Sequence, residues 1–292
     1  MKILITGSSG MLAAALIRQL SDKYEVAGLD ISKVQNTNYK LQKFIECDIT
    51  DGKKTLGAIS SCGVDIVIHT AAYTDVDGCE KNPQEAEKVN ALGTKNVARA
   101  AKDCNCLLIY ISTDFVFDGE KKTPYTEEDK PHPINAYGKA KLDGERLVQS
   151  ILKDFIIVRS SWLFGAGGRN FVDTILNKAK SEKRIKVVND QFGSPTYAFD
   201  LAMAIKALLP AFKPSGDIYH ITNSGSCSWY EFARAIKEIA GLDTNILPVS
   251  ASEYNSPAAR PRMSILENGR YRDRTGGNLR PWREALGEYL KG

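Results

Sequence analysis

Short apolar runs alternate with amphipathic stretches over the first 160 positions of the chain. The apolar runs are KILIT (2–6), EVAGLD (25–30), KFIECD (43–48), DIVIHTAA (65–72), LLIYIS (107–112) and FIIVRS (155–160). Helical periodicity lies between them, over about 11–20, 84–102 and 136–150, with a polar helix after the third run. Continuous apolar strands separated by helices are typical of a parallel sheet that is buried on both faces. The pattern predicts an α/β fold with a Rossmann-type doubly wound parallel sheet.

This regularity weakens after Arg159. Shorter elements, Gly-rich turns and prolines follow, the prolines at positions 195, 210, 214, 248, 257 and 261. Together they predict a smaller C-terminal α/β unit that closes over the first one. We expect a Rossmann domain over 1–160, with a return segment near 195–212. The smaller domain is expected to consist of 161–194 and 213–292.

The composition excludes several classes of function. Hydrophobic residues make up 43% and charged residues 25% of the 292 residues, as in ordinary soluble globular proteins. The net charge of +4 is too small and too dispersed to indicate a nucleic-acid partner, although it is compatible with an anionic small substrate. The six cysteines form no C-x-x-C pair, and no histidine lies near them at ligand spacing, so we expect no metal site. No apolar stretch is long enough for a membrane span or a signal sequence, and we expect a cytoplasmic protein without a membrane partner.

The first candidate for chemistry is the turn ITGSSGMLA at 5–13, between the first strand and the first helix. Gly7 and Gly10 carry no Cβ, so the backbone can turn tightly there and approach a pyrophosphate at the helix N-terminus. Asp30 ends the second strand, where a carboxylate accepts hydrogen bonds from adenosine ribose hydroxyls, which favours NADH over NADPH. Lys33 follows it and would partly offset a 2′-phosphate. A glycine-rich turn without a ligand is the alternative interpretation.

A second candidate combines the end of the fifth strand with the next long helix. Ser112 and Thr113 lie at the carboxyl end of a predicted parallel strand, where open α/β sheets bind ligands, and both can polarise a substrate oxygen. Tyr137 and Lys141 are four residues apart, so a helix presents a phenol and an ammonium on one face. A nearby cation stabilises phenolate, so we expect a lowered pKa for Tyr137 and proton donation to a carbonyl oxygen. Taken alone, Y-x-x-x-K is common by chance and also describes a surface tyrosine.

With these motifs the chain resembles the extended short-chain dehydrogenases/reductases over nearly its whole length. The general marks are ITGSSG (5–10), HTAAYTDVD (69–77), VNALGTKNV (89–97) and YGKAK (137–141). More specific marks are STDFVFDG (112–119), RSSWLFG (159–165), NDQFGSPT (189–196) and ARPRMSIL (259–266). This combination is similar to the family's reductases that form dTDP-L-rhamnose, rather than to its nucleotide-sugar epimerases. The resemblance implies hydride transfer from NADH or NADPH to the C4 ketone of a dTDP-linked 4-keto-6-deoxysugar, with substrate specificity in the smaller domain. We expect a monomer or homodimer.

The resemblance also implies roles for individual residues. Thr113 would hydrogen-bond the reacting sugar oxygen, Tyr137 would protonate it and Lys141 would assist. The cofactor would contact Tyr137, Lys141 and a set of residues that follow the strands: Gly7, Gly10, Met11, Leu12, Asp30, Asp48, Ile49, Ala71, Ala72 and Tyr73. For Asp48, a strand-end cap is the alternative role. The sugar nucleotide would be held by Thr113, Asp114, Trp162 and Arg260.

Several other side chains are predicted to be structural. Trp229 and Tyr230 are interpreted as core residues, and so are His69 and His220. Asn90 either supports the active-site helix from behind or is a buried structural amide. Among the arginines of the C-terminal tail, Arg260 or Arg262 is suited to fork onto a diphosphate, whereas most of the others are expected to be solvated.

Two departures from the family pattern and two rival functions accompany this interpretation. Ala14 replaces a glutamate that links metal-bound dimers in some members, so we expect no metal-dependent dimer. Ala13 replaces the third glycine of the dinucleotide turn and is small enough to keep the helix close to the strand.

One rival is an epimerase or dehydratase acting on UDP- or GDP-sugars, which would share Tyr137 and Lys141. The other is a non-catalytic binding subunit with the same fold.

Overall fold

The computed structural model describes residues 1–32, 41–211 and 216–292, so the predicted role of Lys33 lies outside the described residues. The strands are β1 (Lys2–Thr6), β2 (Glu25–Asp30), β3 (Lys43–Glu46), β4 (Ile66–His69), β5 (Leu107–Thr113), β6 (Phe155–Ser160), β7 (Leu163–Phe164), β8 (Arg184–Val188), β9 (Phe192–Gly193), β10 (Thr196–Tyr197), β11 (Gly216–His220), β12 (Cys227–Ser228) and β13 (Asn245–Val249). The α-helices are α1 (Met11–Leu20), α2 (Gly52–Ser60), α3 (Val76–Lys81), α4 (Pro83–Ala86), α5 (Thr94–Asp103), α6 (Ala136–Ile151), α7 (Phe171–Ala179), α8 (Ala198–Ala211), α9 (Trp229–Ala240), α10 (Ala251–Tyr254), α11 (Gly269–Thr275) and α12 (Trp282–Tyr289). A π-helical segment covers Glu87–Gly93, and a 3₁₀ turn covers Asp114–Val116.

Seven strands form one sheet in the order β11-β6-β5-β4-β1-β2-β3. Every neighbouring pair in this sheet is parallel. The strand order reverses between β1 and β4, and open α/β sheets bind ligands in the crevice at such a reversal. The predicted α/β fold with a Rossmann-type parallel sheet is confirmed.

Successive residues of the central strands point to opposite faces of the sheet, and both faces are buried. In β5, Ile109 and Ile111 pack in one core with α1 and α8, whereas Leu108 and Tyr110 pack in a second core with α2, α5 and α6. A strand between two helical layers needs an apolar residue at every position, because neither face meets water. The continuous apolar runs of the sequence have this cause.

The C-terminal part of the chain has a core of its own. Phe164, Val187, Phe232 and Leu286 are buried in it, and they come from β7, β8, α9 and α12. The strands β8 and β13 pair in parallel beneath α9. This smaller unit therefore combines residues from before and after α8.

Two elements of the C-terminal half belong to the large sheet instead. Helix α8, which covers most of the predicted return segment near 195–212, packs against α1. Strand β11 extends the sheet by pairing with β6, with Ile218 opposite Ile157. The sequence analysis starts the second part of the smaller domain at residue 213, but main-chain pairing keeps the chain in the large sheet as far as His220.

The helix predicted over 84–102 is divided into three pieces. The side chain of Asn82 caps α4 by accepting a hydrogen bond from the Glu85 N–H, and Pro83 follows at the first helical position. The π-helical segment comes next, and α5 completes the stretch. Periodicity alone does not predict a π-helical segment, which inserts an extra residue into a helical turn. Within the described residues, no helix has the length and apolar character that crossing a membrane requires.

Candidate active site

A cavity of about 540 Å³ opens at the crevice between β1 and β4. Of the predicted cofactor residues, all but Tyr73 line it: Gly7, Gly10, Met11, Leu12, Asp30, Asp48, Ile49, Ala71, Ala72, Tyr137 and Lys141. Tyr73 lies outside the lining, with its hydroxyl against Gly78. Its main chain is held by the buried amide of Asn90, which accepts a hydrogen bond from the Tyr73 N–H at 2.8 Å and donates to its carbonyl oxygen at 2.9 Å. Asn90 thus fixes the loop after β4.

The turn after β1 is shaped for a close approach of its backbone to a ligand. Gly7 has a φ of +67°, and a Cβ added to it would lie 2.6 Å from the main-chain N and Cα of Ala71. The Gly10 N–H donates to the Gly7 carbonyl oxygen at 2.9 Å, and helix α1 begins at the next residue. A bare backbone at a helix N-terminus is the arrangement that binds phosphates in dinucleotide folds. The residues present therefore fit the pyrophosphate of a nicotinamide dinucleotide.

Two carboxylates line the cavity beyond this turn. Asp30 accepts hydrogen bonds from the Ser9 N–H at 2.9 Å and from the Ile31 N–H at 2.7 Å. These contacts hold its carboxylate at the end of β2, where a ribose is expected. Asp48 accepts a hydrogen bond from the Thr50 N–H at 2.8 Å, so it acts as a strand-end cap while also lining the cavity.

The active-site helix α6 is placed by its first turn. Asn135 caps it by accepting a hydrogen bond from the Gly138 N–H at 2.8 Å, and its amide donates to the Ala259 carbonyl oxygen at 2.8 Å. A Cβ on Gly138 would overlap the carbonyl oxygen of Phe115. Only glycine lets the helix lie this close to the 3₁₀ turn after β5. The close contact brings Tyr137 to the end of that strand.

Thr113, Asp114 and Tyr137 meet there. The Thr113 hydroxyl donates to a carboxylate oxygen of Asp114 at 3.1 Å, and Thr113 lies close enough to Tyr137 to affect the pKa of its phenol. Burial raises the pKa of Tyr137, and the Thr113 side chain opposes this effect. The prediction that the pKa of Tyr137 is lowered is therefore wrong for this structure.

The reason is the position of the Lys141 ammonium. Its Nζ donates to the carbonyl oxygen of Ile111 at 2.7 Å and lies 4.1 Å from the centre of the Tyr110 ring. Only 3% of Lys141 is exposed, and burial lowers its pKa to about 7, although the charge of Glu145 opposes this shift. The ammonium faces the strand, and the groups that act on the pKa of Tyr137 are Thr113, Asp114 and Cys79.

A buried ion pair supports this arrangement from behind. Glu145, one helical turn after Lys141, accepts hydrogen bonds from Arg159 Nε at 2.9 Å and Nη2 at 2.7 Å. It also accepts the Ser112 hydroxyl at 2.5 Å, so this hydroxyl does not direct its proton to a substrate oxygen, as the sequence analysis expected. The sequence analysis missed the pair. Its signal is an arginine inside the apolar run FIIVRS, because a charge in a buried strand requires a partner.

Asp114 is 2% exposed, and its carboxylate has only part of its hydrogen-bonding capacity satisfied. Burial raises its pKa to about 7, and hydrogen bonds with Ser264 and Thr113 oppose the rise. Among the described residues, its Oδ2 atom has no hydrogen-bond partner. Asp114 does not line the cavity itself, but it follows the end of β5, whose Ser112 does, and an unsatisfied buried oxygen there is suited to a hydroxyl of a bound ligand.

The four predicted sugar-binding residues, Thr113, Asp114, Trp162 and Arg260, all lie outside the lining of this cavity. Trp162 has a φ of +47° and stacks on Trp229, with ring centroids 3.4 Å apart and an angle of 6° between the planes. Trp229 and Tyr230, which were interpreted as core residues, are half-buried and pack against the core of the smaller unit. Arg260 forms an ion pair with Asp77 at 3.0 Å. His69 and His220 are buried, as predicted.

The cavity is completed by a loop that the sequence analysis did not single out. Gly168 and Arg169 line it from the smaller unit. The signal in the sequence was the run GAGGRN, a second glycine-rich turn before a helix. In the described part of the chain, no cluster of histidine, cysteine and carboxylate side chains is arranged to hold a metal ion.

Known proteins share this architecture and these motifs along the whole chain. The family model described as RmlD substrate binding domain matches residues 1–292. The chain belongs to the RmlD substrate binding domain family. Its relatives include the spore coat polysaccharide biosynthesis protein SpsK of Bacillus subtilis (strain 168), which is 41% identical over 291 residues, covering 99% of this chain and 97% of that protein.

Two solved structures of the RmlD family are similar in fold and sequence. A dTDP-4-dehydrorhamnose reductase from Clostridium acetobutylicum is 39% identical with a TM-score of 0.91, and the match covers 100% of this chain and 99% of that one. A dTDP-4-dehydrorhamnose reductase from Bacillus anthracis in complex with NADP is 37% identical with a TM-score of 0.91, over 99% and 98% of the two chains. The resemblance noted from the sequence motifs is confirmed.

Proposed function

We propose that this protein reduces the C4 ketone of dTDP-4-dehydro-L-rhamnose to form dTDP-L-rhamnose, a precursor for polysaccharide synthesis. The observation that carries the proposal is the position of Tyr137, which lines the same cavity as the dinucleotide turn and lies close to Thr113. A proton donor and an orienting hydroxyl next to a cofactor site are what a carbonyl reduction requires. Full-length similarity to proteins named dTDP-4-dehydrorhamnose reductase supports this substrate.

The cofactor is proposed to be NADH or NADPH, which when bound supplies the hydride. The backbone from Gly7 to Leu12 would hold its pyrophosphate, Asp30 its adenosine ribose, and Ala71 and Ala72 its nicotinamide half. The carboxylate of Asp30 favours NADH, because a 2′-phosphate would bring negative charge against it.

Tyr137 is proposed to donate the proton. Because its pKa is raised, the phenol stays protonated at neutral pH until the ketone oxygen gains negative charge. An alkoxide is a stronger base than a phenolate, so the proton then moves from the phenol to the sugar oxygen. Thr113 would orient both oxygens, and Lys141, whose pKa lies at about 7, would return a proton towards Tyr137 after its ammonium leaves the Ile111 carbonyl oxygen.

The substrate is proposed to reach this point from the smaller unit. The free Oδ2 of Asp114 would accept a sugar hydroxyl, and Trp162 would pack on the sugar ring. Arg260 would bind the diphosphate only after leaving its ion pair with Asp77. Such an exchange of partners is compatible with the half-exposed position of both side chains.

The decisive experiment is an assay of the purified protein with NADH and with NADPH, using enzymatically generated dTDP-4-dehydro-L-rhamnose. We expect loss of the reduced-nicotinamide absorbance only when the sugar nucleotide is present, and faster with NADH. A UDP-linked 4-ketosugar serves as the matched control for the nucleotide. Binding of both dinucleotides without any ketosugar-dependent oxidation would refute the proposal and favour the binding-subunit alternative. Copurification with oxidised cofactor and epimerisation of a UDP-sugar would favour the other rival.

A further inference from the structure

The loop between β7 and α7 is held in a defined shape against the large sheet's cavity. Asn170, which is 8% exposed, caps α7 by accepting a hydrogen bond from the Asp173 N–H at 3.0 Å. Its amide donates to the carbonyl oxygens of Gly165 at 2.9 Å and Gly168 at 3.2 Å. One buried side chain therefore ties both ends of the loop together and fixes where Arg169 leaves the backbone.

This loop lies over the first residue of α1. A Cβ on Gly168 would lie 3.0 Å from Met11 Cβ and 3.5 Å from the Met11 nitrogen. A Cβ on Gly165 would lie 3.5 Å from Met11 Cγ. Met11 begins the helix whose N-terminus faces the expected pyrophosphate, so the Arg169 side chain starts within a short distance of that position.

The charges that line the cavity make Arg169 distinctive. Three carboxylates face the cavity, those of Asp30, Asp48 and Glu85, against two cations, Lys141 and Arg169. The Lys141 ammonium is buried and committed to a main-chain carbonyl oxygen. Arg169 is exposed, and within residues 1–32, 41–211 and 216–292 no carboxylate forms an ion pair with it.

Three other arginines are already neutralised by carboxylates. Arg159 pairs with Glu145, Arg260 with Asp77, and Arg280 with Asp200. A pyrophosphate placed in this cavity would otherwise meet a wall with more carboxylates than available cations. A guanidinium can donate two parallel hydrogen bonds to two phosphate oxygens, which an ammonium cannot do.

We infer that Arg169 binds the pyrophosphate of the nicotinamide dinucleotide from the side opposite the turn between Gly7 and Leu12. This inference rests on the cofactor use proposed above and adds a residue from the smaller unit to the cofactor site. The inference assigns Arg169 to the pyrophosphate and not to the 2′-phosphate of NADPH. The loop that carries Arg169 adjoins Met11, whereas Asp30 lies at the end of the cavity where the ribose is expected.

The test measures dinucleotide binding without a sugar substrate, so it does not depend on turnover. Fluorescence titrations with NADH and NADPH compare the wild-type protein with Arg169→Gln, which keeps a polar side chain and removes its charge. We expect the Kd to rise about tenfold for both dinucleotides, the effect of losing one charge-assisted contact. Arg169→Lys should lose less affinity for the dinucleotides than Arg169→Gln does. The affinity for adenosine, measured by displacement of NADH, should stay unchanged.

Arg184→Gln is the matched control, since it removes the same charge from an exposed position of the smaller unit, on β8. Its Kd values should equal those of the wild-type protein. An unchanged Kd in Arg169→Gln would overturn the inference. So would a loss confined to NADPH, which would assign the guanidinium to the 2′-phosphate, or an equal loss for adenosine, which would indicate a distorted loop. Failure of the sugar-reduction assay with these affinity changes intact would refute only the proposed substrate.

Discussion

Two parts of the site are built in opposite ways. The cofactor edge, consisting of residues 7–12 with Asp30 and Asp48, presents main-chain groups and half-exposed side chains to the cavity. The catalytic corner, consisting of Thr113, Asp114, Tyr137 and Lys141, rests on side chains, three of them almost completely buried. All but Thr113 of these four have a shifted pKa.

This difference follows from the two tasks. A phosphate is bound well by N–H groups that are rigid and need no charge of their own, so the cofactor edge can stay open to water. Proton transfer requires groups whose protonation is set by their surroundings, and burial in a medium of low dielectric constant has the largest effect on it. Substitutions should therefore affect binding at the edge, and turnover or folding at the corner.

The largest effect is expected for Tyr137→Phe. The change removes only the hydroxyl, so turnover should fall about a thousandfold while the Kd for NADH stays within about twofold of the wild type. Steady-state kinetics and a fluorescence titration measure the two quantities on the same preparation. A Phe variant with wild-type turnover would show that another group donates the proton.

Glu145→Gln should cost the most folding stability. It leaves the buried Arg159 guanidinium without a counter-charge, and breaking a buried pair in this way costs about 3 kcal/mol or more. Urea unfolding gives the change in free energy. Asp143→Asn, which removes an exposed carboxylate from the same helix, is the control and should cost less than about 0.5 kcal/mol. Equal unfolding midpoints for the two variants would show that the buried pair is not needed.

Gly7→Ala should damage the cofactor edge by backbone strain. The positive φ and the contact with Ala71 together should cost about 2 kcal/mol, and a displaced turn should weaken NADH binding more than tenfold. Gly57→Ala is the control, because nothing lies within 4 Å of an added Cβ there and alanine is the better helix former. NADH titrations of both variants measure the difference, and wild-type affinity in Gly7→Ala would contradict the proposed path of the cofactor.

Lys141→Met should change the folding stability with the opposite sign and should do so only over part of the pH range. Burial lowers the pKa of Lys141 from 10.5 to about 7, so between these values the unfolded chain binds more protons than the folded one. The stability of the wild-type protein therefore rises with pH across this interval. The Met variant should be more stable than the wild-type protein below pH 7, and this difference should fall steadily as pH approaches 10.5. Urea unfolding at several pH values checks this, and a gain that does not depend on pH would exclude Lys141 titration as its cause.

The regular elements of the large sheet could be predicted from the sequence because each is determined locally. The strands KILIT, EVAGLD and FIIVRS have the predicted bounds, and so does the helix over 11–20. Their apolar pattern reflects two-sided burial, which is a property of short segments. The cofactor edge could be predicted from the sequence equally well, since a glycine turn and a strand-end carboxylate occupy fixed places in this fold.

Features that depend on contacts between distant segments could not be predicted. The direction of the Lys141 ammonium is set by a carbonyl oxygen thirty positions away, and the expected effect on the pKa of Tyr137 was wrong for that reason. The loop carrying Arg169 reaches the cavity only through the packing of the smaller unit. The expected monomer or homodimer and the cytoplasmic location stay predictions.

The late return of the chain to the large sheet affects how the protein folds during synthesis. Strand β11 ends at residue 220 of 292 and covers the edge of β6, all of whose residues are buried in the finished protein. A nascent chain that has emerged only as far as residue 160 lacks both this strand and helix α8, so one apolar layer is open on the ribosome. We therefore expect that residues 1–160 do not fold independently, and that a fragment truncated after β6 is aggregation-prone.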